Sequence, residues 1–284
     1  MGQWDAWRGR TQEQSDVLTP GLLQRFRATI DSDATGDIAP QGIHWCLCLP
    51  EAATAELGDD GHPKRGGFMP PIPLPRRMWA ASDVTFYAPL IAGVDVVRKS
   101  TIAEITEKQG ASGPLVFVTL DHETWADNAL VISERQSVVY RGAPTVAAPT
   151  SPTGDIADLS GWPIHRSITT SEPLLFRYSA LTFNSHRIHY DRRYAMQTEG
   201  YPGLVVHGPL MASLLIDLLR RHSDRHLSSF AFKALKPVFE CADQRVLRLC
   251  AKPEGDDIHT WVQDHHDHVC MQAVAHWSTQ PATP

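Results

Sequence analysis

The stretch YSALTFNSHRIHYDRRYAMQTEGYPGLVVHGPLMASLLIDLLR, residues 178–220, decides how this chain is read. Its first half is crowded with polar side chains: Asn184, His186, Arg187, His189 and Asp191. From His207–Gly208 onward it is apolar on most sides and predicts a helix. A helix apolar all round must be buried, so a sheet is expected to wrap it. Pro209 suits the first turn, where its missing N–H has no helical partner. The first turn also offers unpaired backbone N–H groups and the positive end of the helix dipole. Gly203 and Gly208, with Val206 and His207 between them, let a ligand approach that backbone closely. An acyl oxygen docked there would be polarised.

The polar half supplies complementary chemistry. A neutral imidazole at His189 suits general acid–base work near neutral pH. Asn184, five residues earlier, can hold a water through its amide. A blander reading stands beside this one: a loop-to-helix junction with surface histidines, in a chain that has 14 of them.

Working outward, residues 18–31 (LTPGLLQRFRATID) read as a helix capped by Thr19, with Pro20 in its first turn. Residues 58–75 are rich in Gly and Pro and read as loop. From Met78 to Tyr140, runs of Val, Ile, Thr and Phe alternate with polar residues and predict a meander of antiparallel strands. Turn signals fall at Lys108–Gly113 and at Asp127–Asn128. Residues 141–161 are Pro, Thr, Ala and Ser-rich and read as a linker. After the central stretch, SSFAFKALKPVF, QRVLRLCAK, IHTWVQDHH and HVCMQAVAHW again alternate as strands. The expected organisation is α+β: an N-terminal unit over 1–145, a linker over 146–162 and a C-terminal unit over 163–284. Each unit is expected to be a curved antiparallel sheet around one helix.

With 284 residues, a 42% hydrophobic fraction and a net charge of −6, the chain fits a soluble globular protein and argues against nucleic acid as partner. No apolar run is long enough to cross a membrane. The start, MGQWDAWRGR, shows no signal-peptide pattern. Five cysteines without a C-x-x-C pair fit a reduced, cytoplasmic compartment rather than a disulfide framework.

The motif FNSHRIHYDRRYA followed by EGYPGLVVHGPL resembles the hydratase motif of the hot-dog fold, in the MaoC-like or R-specific enoyl-CoA hydratase group. In that pattern an Asp is followed five residues later by His, and the hot-dog helix is entered through His-Gly. The resemblance implies that His189 is the catalytic histidine and that the Gly208 N–H helps form the oxyanion hole. Asn184 stands where most of the superfamily has Asp. That variant resembles the fused double hot-dog branch, which includes mesaconyl-C4-CoA and itaconyl-CoA hydratases. PIPLPRRMWAASDVTFY, GASGPLVFVTLDHE and ERQSVVYR resemble its degenerate N-terminal domain, which implies a non-catalytic first unit. The resemblance implies reversible hydration of an α,β-unsaturated acyl-CoA, with no metal or organic cofactor and a homodimeric assembly. An amide is not a carboxylate base, so His189 would carry most of the proton transfer, with Asp191 as a possible substitute carboxylate.

A dicarboxylic acyl group would need a cation, and Arg187 is the nearest in sequence, with a structural salt bridge or a contact to the CoA phosphates as an equal alternative. Arg76 and Arg77 could hold a phosphorylated or carboxylated small molecule such as CoA, but read better as a solvated surface. His186, Asp191, Gly203, Val206 and His207 complete the expected substrate contacts. The His-rich stretch at 259–270 (HTWVQDHHDHVC) invites a zinc reading, but it reads better as a polar hairpin tip between strands. Two alternatives stay open: a hot-dog thioesterase, for which Asp217 is the acidic residue on the central helix, and a non-catalytic acyl-binding protein.

Overall fold

The computed structural model describes residues 3–110, 113–142, 161–240 and 246–279. In chain order the first unit holds β1 (Thr11–Val17), α1 (Pro20–Thr29), β2 (Arg76–Phe86), β3 (Asp95–Gly110), β4 (Gly113–Ala126) and β5 (Ala129–Arg141). The second holds β6 (Ile164–Thr169), α2 (Glu172–Leu181), α3 (Arg192–Gln197), β7 (Leu204–Val205), α4 (Gly208–Arg220) and β8 (Leu227–Ala234). It closes with β9 (Phe239–Glu240), β10 (Val246–Glu254), β11 (Asp257–Gln263) and β12 (Val269–Trp277).

Ten strands form one antiparallel sheet in the order β1-β3-β4-β5-β2-β8-β12-β11-β10-β6. Each unit supplies five neighbouring strands, so the two expected sheets meet edge to edge. The seam is β2 against β8, from Ala81 opposite Lys233 to Thr85 opposite Ser229. Pairing there removes one exposed edge from each half. The hairpin expected at Asp127–Asn128 is present: both residues have positive φ (49° and 63°), with Ala126 opposite Ala129. Asp and Asn tolerate the left-handed backbone that such two-residue turns require. The linker expected at 146–162 lies almost wholly outside the described residues.

The long apolar helix is α4, buried at every position from Leu210 to Leu219. It packs on β6, β10 and β11. Burial of each of its Leu side chains contributes about 1.5–3 kcal/mol. Helix α1 starts as expected, with Thr19 Oγ1 accepting from the Leu22 N–H at 3.1 Å. Its inward residues Leu23 and Phe26 join the same core, and it packs against α2. Across the first half of the sheet runs the buried segment 42–48. There the Trp45 indole donates to Glu134 on β5 at 3.2 Å. Arg98 on β3 donates to the Cys48 carbonyl.

Helix α2 was not anticipated from sequence, although its signal was present. Ser171 Oγ accepts from the Leu174 N–H at 3.3 Å and Pro173 occupies the first turn. Among the described residues Cys46, Cys48, Cys250 and Cys270 are free and buried. No helix among them is long and apolar enough to cross a membrane.

Candidate active site

His189 closes a one-turn 3₁₀ helix, Arg187–His189, and is buried. Its Nδ1 lies 2.7 Å from the Val205 carbonyl oxygen. A carbonyl only accepts, so Nδ1 carries the proton and Nε2 keeps its lone pair. The His189 ring lies flat on the His207 ring, with centroids 3.7 Å apart and planes 17° apart. His207 is the N-cap residue of α4, so the stack sets the imidazole against the helix head. Ser179 on α2 meets His207 Nε2 at 2.9 Å, while His207 Nδ1 is buried without a partner. Burial lowers the pKa of His189 to about 4, despite the opposing Val205 hydrogen bond. His207 is held well below the usual histidine range, first by burial and then by its histidine neighbours. Both rings are therefore neutral at neutral pH.

Gly208 opens α4, and no side chain caps that turn. A Cβ on Gly208 would come no closer than 3.9 Å to the Trp79 carbonyl, an ordinary contact. Packing within the chain therefore does not require glycine here. Gly203, Val206 and His207 are buried just ahead of it, and the Val206 N–H donates to Val238 at 2.8 Å. Asn184 folds back on its own loop: its Oδ1 accepts from the His186 N–H at 3.0 Å. His186 meets His189 edge-on, with centroids 5.5 Å apart.

The structure adds a contribution that the sequence reading passed over as loop. Residues 59–62 of the first unit dock on 185–187 of the second. The Arg187 N–H donates to the Asp60 carbonyl at 2.9 Å, and Ser185 Oγ donates to the Gly61 carbonyl at 2.5 Å. A Cβ on Gly61 would sit 1.9 Å from the Ser185 oxygen, and its φ is +87°, so glycine is required. The His62 ring packs on His186 at 4.0 Å. Asp60 spends both oxygens on His62: Oδ2 pairs with Nδ1 at 3.0 Å and Oδ1 accepts the backbone N–H at 2.9 Å. Burial holds both His62 and His186 below the usual histidine pKa. Ligand atoms of Asp60, His62 and His186 lie within 4.8 Å of one another, a spacing that a divalent ion could bridge. The only signal for this loop in the sequence was Asp-x-His within a glycine-rich run, which many solvated turns share.

Other expected contacts lie elsewhere. Arg187 pairs with Asp191 at 2.8 Å, is substantially exposed, and lies over the Tyr194 ring at 4.2 Å. Asp191 also caps α3, accepting from the Tyr194 N–H at 3.0 Å. Neither is brought into the buried histidine cluster, because each satisfies the other and the start of α3. The reading of Arg76 as solvated surface is corrected: it is buried and pairs with Glu199 at 2.8 Å. Asp217 is buried between Arg166, Arg220 and Arg221 at 2.7–3.0 Å, a structural knot. At 264–268 Asp264 Oδ1 accepts from the N–H groups of His266 and His268 at 2.9 and 3.0 Å, which organises a hairpin tip.

Comparison with known proteins bears on the family and the fold. Residues 42–240 match the family model described as hydroxyacyl-thioester dehydratase type 2. The chain is 45% identical over 265 residues to a mesaconyl-C(4)-CoA hydratase of Chloroflexus aurantiacus, covering 90% of this chain and 91% of that one. In fold it is similar to the Mycobacterium tuberculosis protein HtdX, with a TM-score of 0.66 at 13% identity over 95% of this chain and 100% of that one. It is also similar to a conserved M. tuberculosis protein with a double hotdog fold, with a TM-score of 0.58 at 13% identity over 95% and 96% of the two chains. The α+β double hot-dog expectation therefore holds, and the chain belongs to the hydroxyacyl-thioester dehydratase type 2 family.

Proposed function

We propose that this protein reversibly adds water across the α,β double bond of an enoyl-CoA thioester. The acyl group is a C5 branched dicarboxylate of the mesaconyl type, hydrated to a citramalyl thioester. One observation carries the reading: a neutral His189, its Nδ1 proton committed to Val205, lies stacked against the N-cap residue of α4. The free Nε2 and the unpaired N–H groups of the first turn then serve the two ends of one conjugated acyl group. The 45% identity to a mesaconyl-C(4)-CoA hydratase supports the substrate class.

In the forward direction the thioester oxygen docks at the N–H of Gly208. His189 Nε2 takes a proton from a water held with the help of the Asn184 amide. The hydroxide bonds to Cβ, and the double-bond electrons move to the thioester oxygen as an enolate. The imidazolium then returns its proton to Cα. General acid–base catalysis contributes about 10²–10⁴-fold and the oxyanion donor about 10²–10³. The sequence of steps uses no metal or organic cofactor. Homodimerisation, implied by the resemblance, is tested by a sedimentation mass twice that of the chain.

The test is incubation with mesaconyl-C4-CoA, itaconyl-CoA and crotonyl-CoA, following enoyl absorbance, free thiol and product mass. Loss of enoyl absorbance with gain of one water and no free thiol is expected. Free CoA without hydrated product would instead mean a thioesterase. Asp217, the acidic residue of α4, is tied up by three arginines, which speaks against that reading.

A further inference from the structure

We propose that Arg77, on β2 of the N-terminal half, receives the free carboxylate of the acyl group and so makes the enzyme selective for dicarboxylyl thioesters. The inference rests on the hydratase reading and names its substrate class.

Most neighbouring cations are already committed. Arg76 pairs with Glu199, Arg187 with Asp191, and Arg192 with Glu172 and Glu240. Arg65 donates to the carbonyls of Ile72 and Pro75. The Arg77 side chain is half-buried with no hydrogen bond or ion pair among the described residues, a state it shares with Arg141, opposite Arg76 on β5. Asp60, the carboxylate of the histidine cluster, pairs with His62 and forms no ion pair with Arg77 among the described residues. A guanidinium partly withdrawn from water without a counter-ion is costly, and a bound carboxylate removes that cost.

Its place on β2 fits the role. Arg77 sits two residues before Trp79, with Tyr140 and Val138 opposite them on β5 and no bulge between. The two side chains therefore share one face of the strand, about 7 Å apart along it. The Trp79 carbonyl lies beside Gly208 at the head of α4. Arg77 thus stands near the place where an acyl group would lie, on the side of the first unit. Burial is the main cause that keeps His62 and His186 neutral, and the charge of Arg77 adds to it at both rings. Asp60 opposes that effect at both rings. A planar fork of N–H donors suits a carboxylate bidentately, which an ammonium does not match.

The test is calorimetric titration with succinyl-CoA and butyryl-CoA, saturated thioesters that differ at the distal carboxylate. Wild type is expected to bind succinyl-CoA more tightly. Arg77→Gln should weaken succinyl-CoA about 100-fold and butyryl-CoA by less than about 3-fold, with thermal unfolding as the control for folding. Arg77→Lys should recover part of the loss. Equal weakening of both ligands, or of neither, overturns the proposal. If wild type hydrates no enoyl thioester yet shows this Arg77-dependent preference, the hydratase reading fails while the carboxylate assignment stands.

Discussion

His189 and His207 lie face to face, 3.7 Å between ring centroids. This contact joins the proposed base to the helix head proposed to hold the oxyanion, since His207 is the residue immediately before Gly208. It also fixes their charge. Two stacked imidazoliums would repel, and burial already disfavours the charged form of each.

That relationship sets the pH dependence of activity. With the His189 pKa lowered from 6.5 to about 4, the proposed base stays unprotonated throughout the neutral range. The hydration kcat/KM should be flat through neutral pH and fall only as pH approaches about 4. A limb near 6.5 in the pH–rate profile would show that His189 is solvated rather than buried.

Stability should follow the same shift with the opposite consequence for the fold. Below pH 6.5 the unfolded chain binds protons at histidines that the folded chain keeps neutral, so unfolding is favoured as pH falls towards 4. At about 1.4 kcal/mol per pKa unit, His189 alone accounts for roughly 3 kcal/mol across that window. Denaturant titrations from pH 7 to 4.5 should show a progressive loss that His189→Gln reduces. An unchanged slope in the variant would contradict the burial argument.

Gly61 tests whether the first unit holds the second in shape. Gly61→Ala places a methyl 1.9 Å from the Ser185 oxygen on a backbone with φ of +87°. The expected cost is roughly 2–3 kcal/mol, with a loss of turnover although no reacting group is altered. Thermal melts and kcat measured together check this. A fully stable and active variant would mean that the 59–62 loop does not brace the site.

Much of this was legible in the chain. Thr19–Pro20 marked the start of α1, His207–Gly208–Pro209 the start of α4, and Asp127–Asn128 the β4–β5 turn, because caps and tight turns are local chemistry. The partners of Arg76 and of Asp60–His62 were not legible. Arg76 and Glu199 are separated by 123 residues, and the approach of Gly61 to Ser185 exists only once the two half-sheets have joined. Arg187 pairs within its own turn with Asp191, so nearness in sequence to His189 was a poor guide to what its charge serves.

Asn184 offers a narrower check. Its Oδ1 holds the His186 N–H, and an aspartate keeps that acceptor. Asn184→Asp should therefore leave the melting temperature nearly unchanged, while Asn184→Ala loses about 1 kcal/mol. The new anion should favour protonated His189 and move the acid limb of kcat/KM to higher pH. An unmoved limb would mean that the side chain at 184 does not face the base.

The most direct measurement is the turnover of His189→Gln on mesaconyl-C4-CoA, read by loss of enoyl absorbance beside a thermal melt. A folded variant slowed at least about 100-fold is the expected result. A folded variant hydrating at near wild-type rate would contradict the assignment of the proton transfer to this imidazole.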